Sequence, residues 1–194
     1  FALKAQDAGV DAIVAEGSEA GGHNGREETT TFTLIPMVKS KINIPLIAAG
    51  GIASGQGMLA AMALGADGVQ VGSRFAASSE SSAHENFKNK IIETKEGGTQ
   101  LTLKELAPVR LIKNKFYQDV QEAYANGATV DDLKVLLGRA RAKRGMFEGD
   151  LEDGELEIGQ IAGLIDEIKT AKEIIDDMIS EFRIAKTAIN NIEL

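Results

Sequence analysis

Two histidines stand in this chain of 194 residues, and one of them, His23, lies in the run EAGGHNG at residues 19–25. Imidazole titrates nearer neutral pH than any other unperturbed side chain, so one presented by a glycine-rich loop is a candidate general acid or base. Gly21 and Gly22 directly before it remove side-chain bulk, which would let a flat ring approach. Glu16 and Glu19 are nearby carboxylates that could orient the imidazole, or could simply be solvated. His23 could also be a turn residue with no chemistry. His84, in SSAHENF, reads as a surface residue opening a helix.

A second chemistry is suggested by AAGGIASGQG (48–57) and VGSRF (71–75). Gly50 and Gly51 allow a tight turn that brings backbone N–H groups close to an anion. The helix expected after them points its positive end the same way, worth about 0.3–1 kcal/mol toward a nearby negative charge. Gly72 and Ser73 offer two further amides and a hydroxyl. Two such cradles side by side suit a terminal phosphate monoester, as in FMN or a sugar phosphate. Two other features are open to bland readings. Arg110, Lys113 and Lys115 in PVRLIKNKFY read as the solvated face of a helix, or as a contact for an acidic partner or for the phosphates of a second nucleotide. Gly159 and Gly163 lie in a helix-like run, EIGQIAGL, where each costs about 1 kcal/mol relative to alanine.

Three short apolar runs must position these residues: DAIVAEG (11–17), IPLIAAGG (44–51) and DGVQVGS (67–73). Each has the length of a strand and each carries glycine at or near its end; IPLIAAGG lacks polar alternation, as expected of a strand covered on both faces. A helical pattern over 2–8 precedes the first, and patterns over 32–42 and 55–64 separate the three. This succession predicts an α/β fold with a parallel sheet. Paired glycine turns after neighbouring strands favour the last part of a TIM (β/α)8 barrel, about strands 6–8, over an open doubly wound sheet, since no G-x-G-x-x-G follows a strand. On that reading about five strands should precede Phe1, where the chain opens inside a helical pattern. The loop carrying His23, roughly 14 residues, is long for a βα connection, which usually has 2–6, and long loops at that end of a barrel tend to carry function. Residues 84–94, 111–126 and 129–143 are expected to be helical, the last capped by Thr129. Residues 144–160 read as a glycine- and acid-rich loop, and apolar spacings in the last thirty-odd residues predict closing helices with a core or dimer face. The organisation expected is residues 1–82 as barrel and 83–194 as a helical subdomain that returns to the barrel flank.

Composition narrows the function. Charged residues make up 26% and hydrophobic residues 43%, which suits a globular domain, and the net charge of -8 argues against a nucleic-acid footprint. The chain contains no cysteine, which excludes thiolate catalysis and Cys-bound metals within it, and two histidines make a dedicated transition-metal site a poor expectation. No apolar run reaches the ~18 residues that would span a bilayer. With no signal peptide visible, a cytoplasmic protein is the simplest reading.

Taken together, VAEGSEAGGHNG, IPLIAAGGIASG, GADGVQVGSRF, VRLIKNKF and GQIAGL, in this order, resemble the nitronate monooxygenase and FMN-dependent enoyl-ACP reductase II family. The resemblance implies a TIM barrel that binds FMN, with a helical insertion after the eighth strand, and a chain that is the C-terminal portion of a longer protein. It implies that His23 is the active-site histidine and that Gly21 and Gly22 lie beside the flavin. Gly50, Gly51, Gly72 and Ser73 match the phosphate turns, with Ser73 where many relatives have threonine, and Gln160 matches a late GQ motif near the flavin. It further implies NAD(P)H as co-substrate if the protein is a reductase acting on enoyl thioesters, small or carried by acyl-carrier protein. The alternative is oxidation of alkyl nitronates with O2. The form of EGSEAGGH and of RLIKNK looks closer to the reductase. A barrel of the inosine-phosphate dehydrogenase kind would need a catalytic cysteine, and a phosphate-binding barrel fragment is the non-enzyme alternative.

Overall fold

A computed structural model describes residues 1–193. A short helix α1 (Ala2–Asp7) leads into β1 (Ile13–Glu16); β2 (Gly22–His23) lies in the long loop that follows, before α2 (Thr31–Lys39). Then come β3 (Leu46–Ala49), α3 (Gly55–Ala63), β4 (Gly68–Gln70) and the single turn α4 (Ser73–Ala76). Strands β1, β3 and β4 form a parallel sheet in the order β1-β3-β4, with Ile13 opposite Leu46 and Ala48 opposite Val69. The α/β class expected from the apolar runs is therefore present. In β3, Leu46, Ala48 and Ala49 are buried, as an unbroken apolar run in the middle of a parallel sheet requires. Ile35 of α2 and Ala61 of α3 cover the sheet, and Ile174 and Met178 of the last helix, α8 (Ala171–Asn190), close the same core.

The second half departs from the helical expectation. Helix α5 (Glu85–Glu93) forms as expected, with His84 as its N-cap: Nδ1 accepts the Asn86 N–H at 3.1 Å. Next, however, come two strands, β5 (Thr99–Thr102) and β6 (Val109–Ile112), which pair antiparallel, while β2 joins the other edge of β6. The helix expected over 111–126 begins only at Lys115 (α6, Lys115–Ala125), because Asn114 caps it by accepting the Tyr117 N–H at 3.1 Å. Helix α7 (Val130–Leu137) carries the Thr129–Asp132 capping box and stops at Gly138. Residues 158–165 are not an α-helix: only a 3-10 turn spans Gln160–Leu164. Around β6 lies a separate apolar core of Leu103, Val109, Leu111, Phe116, Val120 and Leu133.

Candidate functional site

The carboxyl ends of β1, β3 and β4 open onto one cleft of about 260 Å³, and Gly50, Gly51, Gly72 and Ser73 are all in its wall. Gly50 and Gly51 turn with φ of +93° and +70°, a conformation that disfavours any side chain. A Cβ on Gly50 would also lie 2.7 Å from the Gly17 carbonyl oxygen, so this turn is as tight as the protein can make it. Gly72 differs. Its φ is -102° and a Cβ there would meet nothing within 4 Å, so the protein itself has no need of glycine. A ligand lying in the cleft would need it. Ser73 Oγ accepts the Gly159 N–H at 3.0 Å, which leaves its own proton free to donate. The backbone N–H groups of Gly51 and Ser73 have no carbonyl partner among the described residues. An anion with several acceptor oxygens fits this cradle.

The helix after the glycine turn does not contribute as the sequence suggests. The first N–H of α3, from Gly55, is taken by the Glu181 carboxylate at 2.7 Å, and Ser54 Oγ accepts from Gly57 at 3.1 Å. The positive end of α3 is therefore satisfied by α8, and the cradle rests on the two turns alone.

Between β1 and α2 the long loop is held by side chains. Both Glu19 carboxylate oxygens accept the Thr31 N–H at 3.0 Å, capping α2 from outside the helix, so Glu19 does not orient His23. Arg110 is 6% exposed and donates to the Ser18 carbonyl through Nε (3.0 Å) and Nη2 (2.8 Å). This corrects the expected solvated face of a helix: VRLI is a buried strand, and its guanidinium staples the loop. Gly22 and His23 pair with Arg110 and Val109, and the Asn24 N–H donates to the Pro108 carbonyl at 2.8 Å. His23 is thereby fixed by its backbone and is exposed; the cleft wall reaches Gly21 and Gly22 beside it but does not include His23 itself.

Gly21 and Gly22 also have a different reason from the one expected. A Cβ on Gly21 would lie 2.4 Å from the Ile158 carbonyl carbon, and one on Gly22 would lie 2.7 Å from Glu157 Oε2. It is the stretch 155–158 that excludes side chains here, although both glycines also face the cleft. Glu157, which sequence reading missed, reaches the site from that stretch. It bridges to Leu111, and the Ile112 N–H donates to Leu156 O at 2.9 Å. Burial pushes the Glu157 carboxyl above its ordinary range, and the charge of His23 opposes that shift. Its neighbour Glu155, buried, is pushed up to about 7 by burial and by Glu157, with Arg141 acting against both. Glu16, also in the cleft wall, is raised by desolvation. The alternation of acid and apolar residues in ELEI was the available signal for an extended segment. Gln160 is exposed and borders a separate hollow with Gly97 and Gly98; toward the site it contributes its main chain, whose N–H donates to the Glu19 carbonyl at 2.9 Å.

Parallel strands with an amide-lined cleft at their carboxyl ends define an α/β protein whose cleft lies at the edge where such sheets bind ligands. The chain belongs to the nitronate monooxygenase family, whose model matches residues 2–181. It is 34% identical over 190 residues to a probable nitronate monooxygenase of Staphylococcus saprophyticus, covering 93% of this chain and 53% of that protein. Among solved structures it is similar to FabK from Thermotoga maritima, with a TM-score of 0.88 and 44% identity over 97% of this chain and 60% of that one. It is also similar to nitroalkane oxidase from Streptomyces ansochromogenes, with a TM-score of 0.77 and 31% identity over 97% of this chain and 56% of that one. The chain thus spans between about half and three-fifths of the length of these proteins.

Proposed function

We propose that the chain is the C-terminal part of an FMN-dependent oxidoreductase that reduces enoyl thioesters, small or carried by acyl-carrier protein, at the expense of NAD(P)H. On this reading β1, β3 and β4 are the last three strands of a (β/α)8 barrel within residues 1–82. Residues 83–194 form the subdomain after it, whose α8 returns to the barrel flank, and the protein works in the cytoplasm. The observation that carries the proposal is that two glycine turns on adjacent parallel strands, Gly50–Gly51 and Gly72–Ser73, open onto one cleft, with the N–H groups of Gly51 and Ser73 lacking a carbonyl partner among the described residues. They would hold the FMN phosphate, with Ser73 Oγ donating a further hydrogen bond. Gly21 and Gly22 would border the flavin, and Gln160 would secure that border through its main chain. FMN, when bound, supplies two-electron hydride exchange. His23 would hold the proton that the α-carbon of the substrate receives, since its backbone is fixed by β6 and it is exposed next to Gly22 of the cleft wall.

Greater similarity to FabK than to nitroalkane oxidase supports the reductase branch. The names of the curated relatives support a second reading, oxidation of alkyl nitronates with O2. The test is the visible spectrum of the full-length protein followed by anaerobic addition of NADPH. A flavin spectrum that bleaches, and is restored by crotonyl thioester, is the expected result. A flavin bleached by alkyl nitronate and not by NADPH or NADH points to the second reading, and a colourless protein that gains no flavin spectrum with added FMN overturns both.

A further inference from the structure

The loop between β1 and α2 is tied to the antiparallel sheet at its start, in its middle and at its tip. At the start the buried Arg110 of β6 donates to the Ser18 carbonyl, and in the middle Gly22 and His23 pair with β6. At the exposed tip the loop supplies a guanidinium of its own. Arg26 donates through Nη1 to the Lys104 carbonyl and through Nη2 to the Leu106 carbonyl, each at 3.1 Å. Both carbonyls belong to the turn that joins β5 to β6, so the fork ties the tip to the sheet that already holds the middle. A planar guanidinium can bridge two neutral carbonyls in this way, and a single ammonium cannot.

The backbone on both sides of this contact is unusual. The non-glycine residues with left-handed φ are Glu28 (52°), Leu103 (53°) and Ala140 (61°), and the first two meet here. Leu103 precedes the first accepting carbonyl, and the Leu106 N–H donates back to the Leu103 carbonyl at 3.0 Å, which closes the turn. Glu28 is exposed, and it is held by the contact itself: its carboxylate pairs with Lys104, and its carbonyl accepts from Ser18 Oγ at 3.1 Å. Such conformations persist where the surroundings over-determine them, and they cluster at clamps and functional sites. Arg26 is the third residue after His23, and β2 is only Gly22–His23. A pairing so short frays from its free end, beginning with the Asn24 N–H on the Pro108 carbonyl, unless the chain beyond it is held.

We propose that Arg26 is a positioning residue: its fork locks the tip of the loop onto the β5–β6 turn and so fixes His23, with Ala20, Gly21 and Gly22 of the cleft wall just before it. Arg26 acts on the reaction through the loop. Its kinetic role rests on the reading of His23 as the acid–base group, but the clamp itself does not depend on any flavin chemistry.

The test has two arms in the full-length protein, with the fold of each variant checked by its amide spectrum. The first follows hydrogen exchange of the Asn24 amide by NMR. Losing two hydrogen bonds of ordinary net strength in Arg26→Ala should speed that exchange about tenfold, while the amides of β3 keep their rates. Lys104→Gln removes the exposed ion pair but keeps the accepting carbonyl, so it should change the Asn24 rate by less than about twofold. An Asn24 rate that is the same in wild type and Arg26→Ala overturns the clamp, whether or not the protein binds flavin. The second arm is kinetic. Arg26→Ala should lower kcat about tenfold, a fraction of the 10²–10⁴-fold an acid–base group contributes, with KM and FMN affinity changed less than about twofold. Arg26→Lys should lose nearly as much, and full activity in it would overturn the fork. Slow turnover in His23→Ala with normal turnover in Arg26→Ala overturns the positioning role alone. Normal turnover in both variants removes the acid–base reading of His23, and the positioning role with it.

Discussion

The two sheets build the site in opposite ways. The parallel sheet β1-β3-β4 offers backbone: its cradle consists of N–H groups and one hydroxyl at the ends of adjacent strands, and every component lies within a few residues of the strand that presents it. The antiparallel sheet β2-β6-β5 offers side chains, and it gathers them from residues 22–23, 109–112 and 155–158. A site for a fixed anionic group can be made locally, because amides at a turn need only the right φ and the absence of a side chain. Titratable side chains from distant segments need a shared scaffold instead, and here β6 holds both, β2 by pairing and Glu157 by a bridge to Leu111. The two halves should therefore fail differently when altered.

The largest effect is expected at the side-chain half. His23→Ala should slow steady-state turnover of the full-length protein by at least ~10²-fold, the low end for an acid–base group, while the flavin spectrum and thermal midpoint stay unchanged. Retained stability is expected because the ring is exposed and the pairing of β2 with β6 runs through the main chain. Turnover within a few-fold of wild type would show that the imidazole is a bystander and that both halves only bind.

Two glycines sharpen the contrast. Gly21→Ala puts a Cβ 2.4 Å from backbone of Ile158, so the protein must shift the 155–158 stretch; a loss of about 1–3 kcal/mol in unfolding free energy is expected, as for overpacking. Gly72→Ala meets nothing within 4 Å and has an ordinary φ, so chemical denaturation should not distinguish it from wild type. Its FMN dissociation constant should rise about tenfold, equivalent to ~1.4 kcal/mol. If Gly72→Ala instead bound FMN normally, the cleft between the two turns would not be where the phosphate lies.

The same contrast explains what the sequence could and could not reveal. Strands β1, β3 and β4 were legible as apolar runs ended by glycine, and the helices with Thr129 and Thr170 boxes follow from local capping chemistry. Strand β6 was not legible because Arg110 and Lys113 imitate the polar face of a helix. Arg110 can be buried only because the Ser18 carbonyl, 92 residues away, satisfies its guanidinium, and no local pattern encodes that partner. The satisfaction of α3 by Glu181, 126 residues away, is equally invisible. His23 and the four residues of the two glycine turns could be singled out in the sequence because each sits on a local motif. Glu157 was missed because its meaning comes from the bridge to Leu111, although the alternating ELEI could have been read as extended.

The smallest effect concerns the cost of burying a carboxylate on the 155–158 stretch, and its sign separates desolvation from charge pairing. Glu155 is buried and its folded-state pKa is raised to about 7. An unfolded chain would release that proton near the ordinary glutamate value, so between those two values the folded state binds more protons and stability falls as pH rises. Below the unfolded value Glu155 costs nothing; above about 7 its full penalty is present. Glu155→Gln should accordingly be more stable than wild type at pH 8, by on the order of 1 kcal/mol once the opposing charge of Arg141 is allowed for, and the gain should vanish by pH 4. Urea unfolding of both proteins across that range is the measurement. A variant that is instead less stable at pH 8 would mean that the Arg141 pairing outweighs desolvation, and that the stretch carrying Glu157 is held in place by charge and not in spite of it.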